Sequence, residues 1–163
     1  MRLINKIHVQ IVVALIFGSL PFWARLAWAA GPVEIKTEYF KGKVVPLAGL
    51  LGRIGSKLDA DAAPYWLALV TDDGKVYPLV KDAGARLFFN DASVLNRPMR
   101  VSGRLFQDTH LLQVISVNSY IKGELHDIYY WCDVCSIRRT EKQARCECCG
   151  GPMELREVPL RKP

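Results

Sequence analysis

Residues 65–80 read YWLALVTDDGKVYPLV, and this stretch predicts a β-hairpin. Residues 65–71 combine aromatic and aliphatic side chains in a composition typical of a strand. Residues 72–75 contain an Asp-Gly pair, which supplies the positive φ angles that a tight hairpin turn needs. Residues 76–80 predict the returning strand. Pro78 places that strand at a sheet edge, because proline has no N–H to donate to a neighbour.

Further elements are predicted on both sides of this hairpin. Two later segments alternate polar and apolar residues with the period of two that half-buried strands show. A short helix is predicted between them and the hairpin. The expected elements are strands at residues 33–39 (or a mobile lead-in), 43–47, 99–105 and 110–117, and a helix at residues 83–89.

The order of three strands, one helix and two strands resembles the five-stranded OB-fold over residues 42–120. The resemblance implies a mainly β domain, namely a small antiparallel OB-like barrel with one short helix. Another small antiparallel sheet packed on a helix is the alternative. The aromatic residues of this region are expected to lie in the core rather than to serve as stacking platforms for nucleic-acid bases. They are Tyr65, Trp66, Tyr77, Phe88 and Phe89.

All five cysteines lie between residues 132 and 149, and four of them form the pattern C-x₂-C-x₁₀-C-x₂-C. Each C-x-x-C makes a tight turn that directs two sulfur atoms at one point. Two facing turns supply the tetrahedral four-sulfur shell that Zn²⁺ favours. Gly150 follows the second pair, where the backbone needs a left-handed residue. The pattern resembles a zinc ribbon over residues 127–158 and predicts one zinc ion with the ligands Cys132, Cys135, Cys146 and Cys149.

Three questions about this site stay open from sequence. Cys148 could replace Cys146 or Cys149 as a ligand, react as an exposed thiol, or be a bystander. Two disulfides are the alternative to a metal, because an oxidising compartment favours them, although bridges within a C-x-x-C are usually redox-active rather than structural. His126 precedes Cys132 by six residues and could support the metal site or be a packing or surface histidine.

The first 30 residues have the pattern of a secretory signal peptide. Arg2 and Lys6 precede a mostly apolar run at residues 9–24, and residues 27–30 read AWAA, with small residues at the spacing that signal peptidase needs. The pattern predicts an N-terminal signal helix and export to the periplasm or cell envelope. An uncleaved membrane anchor is the alternative. The predicted organisation is a signal peptide at residues 1–30, an OB-like β domain at 31–125 and a four-cysteine lobe at 126–163.

The positive charge of the chain is smaller than it first looks. The chain has 22 basic and 16 acidic residues, a net charge of +6. Residues 1–30 hold three of the basic residues and none of the acidic ones, which leaves +3 without them. Four thiolates around Zn²⁺ would add a charge of about −2. The charge is therefore a weak argument for a polyanionic partner.

No Ser/His/Asp arrangement and no glycine-rich phosphate loop can be read from the sequence, so we expect no enzyme. The chain resembles exported bacterial proteins that combine a barrel with a ribbon, a resemblance that implies no activity. The expected function is an exported, metal-stabilised binding or scaffold module for an unidentified protein partner. A metal- or thiol-handling protein is the alternative. Single-stranded nucleic-acid binding would require a cytoplasmic protein, and predicted export argues against it. Membrane contact requires an uncleaved N-terminal segment.

Overall fold

The computed structural model describes residues 35–161 of the chain. The predicted signal peptide lies outside these described residues. Within them, no helix has the length and apolar character needed to cross a membrane. The strands are β1 (Ile35–Pro46), β2 (Leu67–Thr71), β3 (Val76–Pro78), β4 (Met99–Phe106), β5 (Leu111–Ile121), β6 (Glu124–Cys132), β7 (Ile137–Arg139) and β8 (Glu154–Pro159). The helices are α1 (Leu47–Arg53) and α2 (Arg86–Asn90), with 3-10 turns at Ala63–Tyr65 and Ala92–Val94.

All eight of these strands belong to one antiparallel sheet. Their order is β3-β2-β1-β4-β5-β6-β7, and β8 pairs with β6. The predicted hairpin is present as β2 and β3, joined by a turn in which Gly74 has a φ of 83°. The sequence prediction of a mainly β, antiparallel fold is thus confirmed.

The sheet does not close into the predicted barrel. Among the described residues, one isolated parallel bridge between Leu79 and Leu112 joins the end of β3 to β5. The Val80 N–H supports it by donating to the Leu112 carbonyl at 2.9 Å. β3 is only 3 residues long, and Pro78 at its end has no N–H to donate. The ladder that would close a barrel therefore stops at one bridge.

β1 is one continuous strand where two separate segments were predicted. It pairs with β4 as far as Gly42 and with β2 from Gly42 onward. A Cβ at Gly42 would lie 2.1 Å from the Val70 carbonyl oxygen, so this crossing requires glycine. Pro46 ends β1, and α1 begins directly after it. The prediction of a single helix is therefore wrong for the described part of the chain, which has α1 in addition to α2.

The hydrophobic core lies on one side of the sheet and includes the inward side of α2. Leu87 and Phe88 of α2 are buried there. Tyr77 is also buried, as expected, but Tyr65 and Trp66 are exposed because they lie at the 3-10 turn before β2 rather than on the inward side of a strand.

β6 connects this core to the cysteines. Its inward side chains alternate strictly with outward ones over 9 residues. His126, Ile128, Tyr130 and Cys132 are buried, and the residues between them are half-buried. Of the three consecutive aromatic residues Tyr129, Tyr130 and Trp131, only Tyr130 faces the core.

Candidate metal centre

The structure brings four of the five cysteines together. The Sγ atoms of Cys132, Cys135, Cys146 and Cys149 all lie within 4.8 Å of one another. A tetrahedral site with Zn–S bonds of about 2.3 Å has sulfur atoms about 3.8 Å apart. The Cys132 and Cys149 sulfur atoms are 3.5 Å apart, and all five cysteines are free thiols. The cluster can therefore hold a metal ion.

The first turn of the cluster begins at the last residue of β6. Cys132 ends the strand, Cys135 lies in the turn, and β7 starts at Ile137 and pairs back onto Cys132. Ser136, directly after the second cysteine, has a φ of 54°. A left-handed residue at this point reverses the chain, so that both sulfur atoms face the same side.

The second turn repeats this geometry. The Cys146 N–H donates to the Gly151 carbonyl, and the Gly150 N–H donates to the Cys146 carbonyl, each at 2.8 Å. Gly150 has a φ of 70° and directly follows Cys149, as Ser136 follows Cys135. The sequence predicted the left-handed glycine, whereas nothing in it indicated that a serine holds the matching position in the first turn.

The four thiols differ in exposure. Cys132 is 1% exposed and Cys146 is 3% exposed, while Cys135 is half-buried and Cys149 is exposed. The site thus has a closed side against the sheet and an open side toward solvent. A metal ion here would be anchored from β6 and accessible from outside.

The thiols also differ in how readily they ionise. The pKa of Cys146 is lowered to about 7, because the backbone N–H groups of Cys149 and Cys148 donate to its sulfur. The pKa of Cys135 is raised, first by its hydrogen bonds with the thiols of Cys148 and Cys149 and then by burial. The pKa of Cys132 is raised although the Cys135 N–H favours its thiolate, since burial and the neighbouring thiols outweigh that bond. A metal cation stabilises all four thiolates at once.

Cys148 lies outside the set of four, although it neighbours the site. It is exposed, and its thiol is near enough to Cys135 to raise the pKa of that residue. The geometry favours Cys149 and Cys146 over Cys148 as the pair contributed by the second turn.

The loop between the two turns is attached to α2 and the residue that follows it. Arg86 pairs with Glu141 at 3.2 Å, and Lys142 pairs with Asp91 at 3.4 Å. Asp91 follows α2 directly. These ion pairs hold the loop that separates the two cysteine pairs, and no pattern in the sequence links residues so far apart.

Asp91 joins this loop to β6 as well. It is 5% exposed and accepts hydrogen bonds from the Tyr130 hydroxyl and from the Ser93 N–H at 2.9 Å. Burial disfavours its charge, but these donors and Lys142 outweigh burial and lower its pKa to about 2. Burial, with Asp91 as a second cause, raises the pKa of Tyr130. Tyr130 precedes Cys132 by two residues on the same side of β6, so one buried network connects α2, β6 and the cysteine loop.

His126 takes no part in the site. It is buried on the inward side of β6, where its Nδ1 lies 3.0 Å from the Glu124 carbonyl. Six residues of extended strand separate it from Cys132 by about 20 Å. A supporting role for His126 at the metal is therefore wrong.

Comparisons with protein-family models, curated proteins and solved structures found no match to this chain.

Proposed function

We propose that the four clustered cysteines bind one zinc ion and that the protein is a non-enzymatic binding or scaffold module stabilised by this metal. The observation that carries the proposal is the approach of four Sγ atoms to within 4.8 Å through two turns of matching geometry. An all-sulfur tetrahedral shell suits Zn²⁺ better than the harder cations. Four protein ligands leave no open coordination position, as in structural zinc sites.

The surrounding contacts support a structural role. The carboxyl groups of Asp91 and Glu157, whose pKa values are lowered, each bond to residues of other elements: Asp91 to Tyr130 and Lys142, Glu157 to Arg97. Perturbed titratable groups of this kind hold elements together and need no substrate to explain them.

We further propose an OB-like domain at residues 31–125, followed by a zinc-ribbon-like lobe at residues 126–163. The order β3-β2-β1-β4-β5, the helix between β3 and β4 and the Leu79–Leu112 bridge support the first assignment. The two C-x-x-C turns flanked by β7 and β8 support the second. Export, with cleavage after about residue 30, rests on the N-terminal pattern alone.

Native mass spectrometry of the purified protein tests metal, redox state and cleavage together. We expect one zinc ion per chain, no disulfide and a mass that lacks the first 30 residues. Cys146→Ser should lose the zinc, while the matched variant Cys148→Ser should keep it. A metal-free protein with two disulfides would disprove the zinc assignment.

The exposure of Cys148 and Cys149 favours one second candidate. This is a protein that transfers its metal to a partner or undergoes thiol exchange with it. Transfer of zinc to a chromophoric chelator distinguishes the two functions. A structural zinc leaves slowly and at the same rate in Cys148→Ser. A zinc ion that the protein transfers to a partner leaves within seconds, at a rate that depends on Cys148.

A further inference from the structure

The side of the sheet that faces away from the core carries aromatic and basic residues from six strands. Strand pairing places them on one face: Lys41 lies opposite Arg100, Arg100 opposite Asn118, and Tyr129 opposite Arg156. We call this surface the aromatic–basic face. Its members are Tyr39 and Lys41 of β1, Arg100 of β4, Asn118 and Tyr120 of β5, Tyr129 and Trp131 of β6, Arg138 of β7 and Arg156 of β8.

Each aromatic ring of this face has a cation stacked on it. The Arg100 guanidinium lies 5.3 Å from the centre of the Tyr39 ring, and the Lys41 ammonium lies 5.2 Å from that of Tyr120. The other two stacks are Arg138 on Tyr129 at 4.4 Å and Arg156 on Trp131 at 5.6 Å. Such stacking orients both partners before any ligand arrives. Tyr39 is nonetheless 73% exposed, so much of its ring is open to a ligand.

Arg100 is oriented by an amide rather than by a carboxylate. Its Nε and Nη2 both donate to the Asn118 Oδ1, at 3.3 and 2.9 Å. Among the described residues, no carboxylate lies within 4.0 Å of its guanidinium. Arg100 also lines an open cavity of about 490 Å³ together with Tyr120, Glu124 and Arg161. A cavity of this size accommodates a small organic group. Two arginines against one glutamate leave its wall with a net positive charge, which suits a carboxylate.

The other cations of the face already have partners. Arg138 binds both oxygens of Asp127, at 2.7 and 2.9 Å, and Arg156 pairs with Asp133. These pairs present fixed donors and acceptors side by side. A sugar hydroxyl donates and accepts at the same time, so it matches such a pair.

We propose that the aromatic–basic face binds an acidic polysaccharide, with a sugar ring lying on the exposed ring of Tyr39 and a sugar carboxylate bound by Arg100. The proposal names the partner of the binding module proposed above and rests on that function.

The low charge of the protein favours this partner over nucleic acid. Outside the described residues lie Arg2, Lys6, Arg25, Lys162 and Glu34, so 18 basic and 15 acidic residues remain, a net charge of +3. Nucleic acid carries a phosphate on every nucleotide, and its binding sites are strongly basic. A sugar chain with a carboxylate on some or all of its rings and hydroxyls between them matches a face with few unpaired cations.

Calorimetric titration of the full chain, purified from cells grown with zinc, with polygalacturonate tests the proposal. Dextran serves as the neutral polysaccharide and oligothymidylate as the nucleic acid, all at physiological ionic strength. We expect binding to polygalacturonate that is at least about tenfold tighter than to the other two. Tyr39→Ala and Arg100→Gln should each weaken it by about five- to tenfold, since each removes one charged or stacking contact.

Tyr65→Ala and Arg53→Gln are the matched controls, because both side chains are exposed and lie outside the face. They should bind within about twofold of the unaltered protein. Preference for oligothymidylate, equal binding in all four variants, or no binding to polygalacturonate would each overturn the proposal. Zinc content and melting temperature are measured on the same samples. Binding by a folded, zinc-free protein would then contradict the metal assignment and leave the polysaccharide assignment standing.

Discussion

Gly150 is the residue that the second cysteine turn depends on most. Its φ of 70° lies in the left-handed region, and a Cβ there would meet no atom within 4 Å. The cost of a side chain at this position is therefore conformational and not steric. We expect Gly150→Ala to lower the free energy of unfolding of the zinc-loaded protein by about 1 kcal/mol. Denaturant unfolding measures this difference.

Two other substitutions should raise the free energy of unfolding or leave it unchanged. Ser136→Gly should stabilise the first turn by up to about 1 kcal/mol, because glycine adopts the φ of 54° without strain. Gly52→Ala should be neutral or stabilising by up to about 1 kcal/mol, since Gly52 lies inside α1 with nothing near its Cβ position. Equal destabilisation in all three variants would show that the left-handed positions have no special role.

At the level of elements, Asp91 holds α2, β6 and the cysteine loop together. Its pKa is about 2 in the folded protein and 3.8 ordinarily. A lowered pKa means that the folded state favours the charged form, so this stabilisation is present above pH 4 and disappears as the pH falls toward 2. We expect Asp91→Asn, which keeps the shape but not the charge, to lose about 1–2 kcal/mol of stability at pH 7.

Urea unfolding of both proteins between pH 7 and pH 2 measures that difference. The difference in free energy of unfolding between the two proteins should decrease below pH 4 and disappear near pH 2. Asp61→Asn, an exposed aspartate in the loop before β2, is the matched control and should change stability by less than about 0.5 kcal/mol at any pH. A gap that persists at pH 2 would assign the effect to packing rather than to charge.

Sequence patterns predicted the elements that local chemistry determines. The Asp-Gly turn of residues 72–75 marked the β2–β3 hairpin, and the cysteine spacing marked the four residues whose sulfur atoms meet. The sequence predicted two strands at residues 33–39 and 43–47, whereas β1 is continuous and its Gly42 permits β2 to approach closely. The ion pair between Asp91 and Lys142 joins residues 51 positions apart, so no local sequence pattern indicates it. The position of Tyr129 and Trp131 on the outer face follows from the alternation of side chains along β6 and could have been predicted.

For the molecule as a whole, β6 is the strand that contributes both to the hydrophobic core and to the cysteine cluster. Its inward residues Ile128 and Tyr130 belong to the hydrophobic core formed with β1, β4 and β5. Its last residue, Cys132, belongs to the cysteine cluster, and among the described strands β7 and β8 form ladders with β6 alone. The core part of the sheet therefore has its own apolar contacts, whereas we expect the part around the cysteines to depend more on the proposed metal.

Removal of the metal should loosen these two parts unequally. After treatment with a strong chelator under reducing conditions, we expect amide exchange in residues 133–152, which include β7, to accelerate by at least about a hundredfold, because few apolar contacts remain to hold them. Exchange in β8 should accelerate less, because its Leu155 packs on the core. The amides of β1, β4 and β5 should stay protected. Hydrogen–deuterium exchange with peptide-level mass spectrometry measures both regions at once, and Cys148→Ser should show the exchange pattern of the unaltered protein before and after chelation.

Loss of protection throughout the sheet would show that the metal supports the whole fold. Unchanged protection near the cysteines would show that the Asp91 network suffices without it.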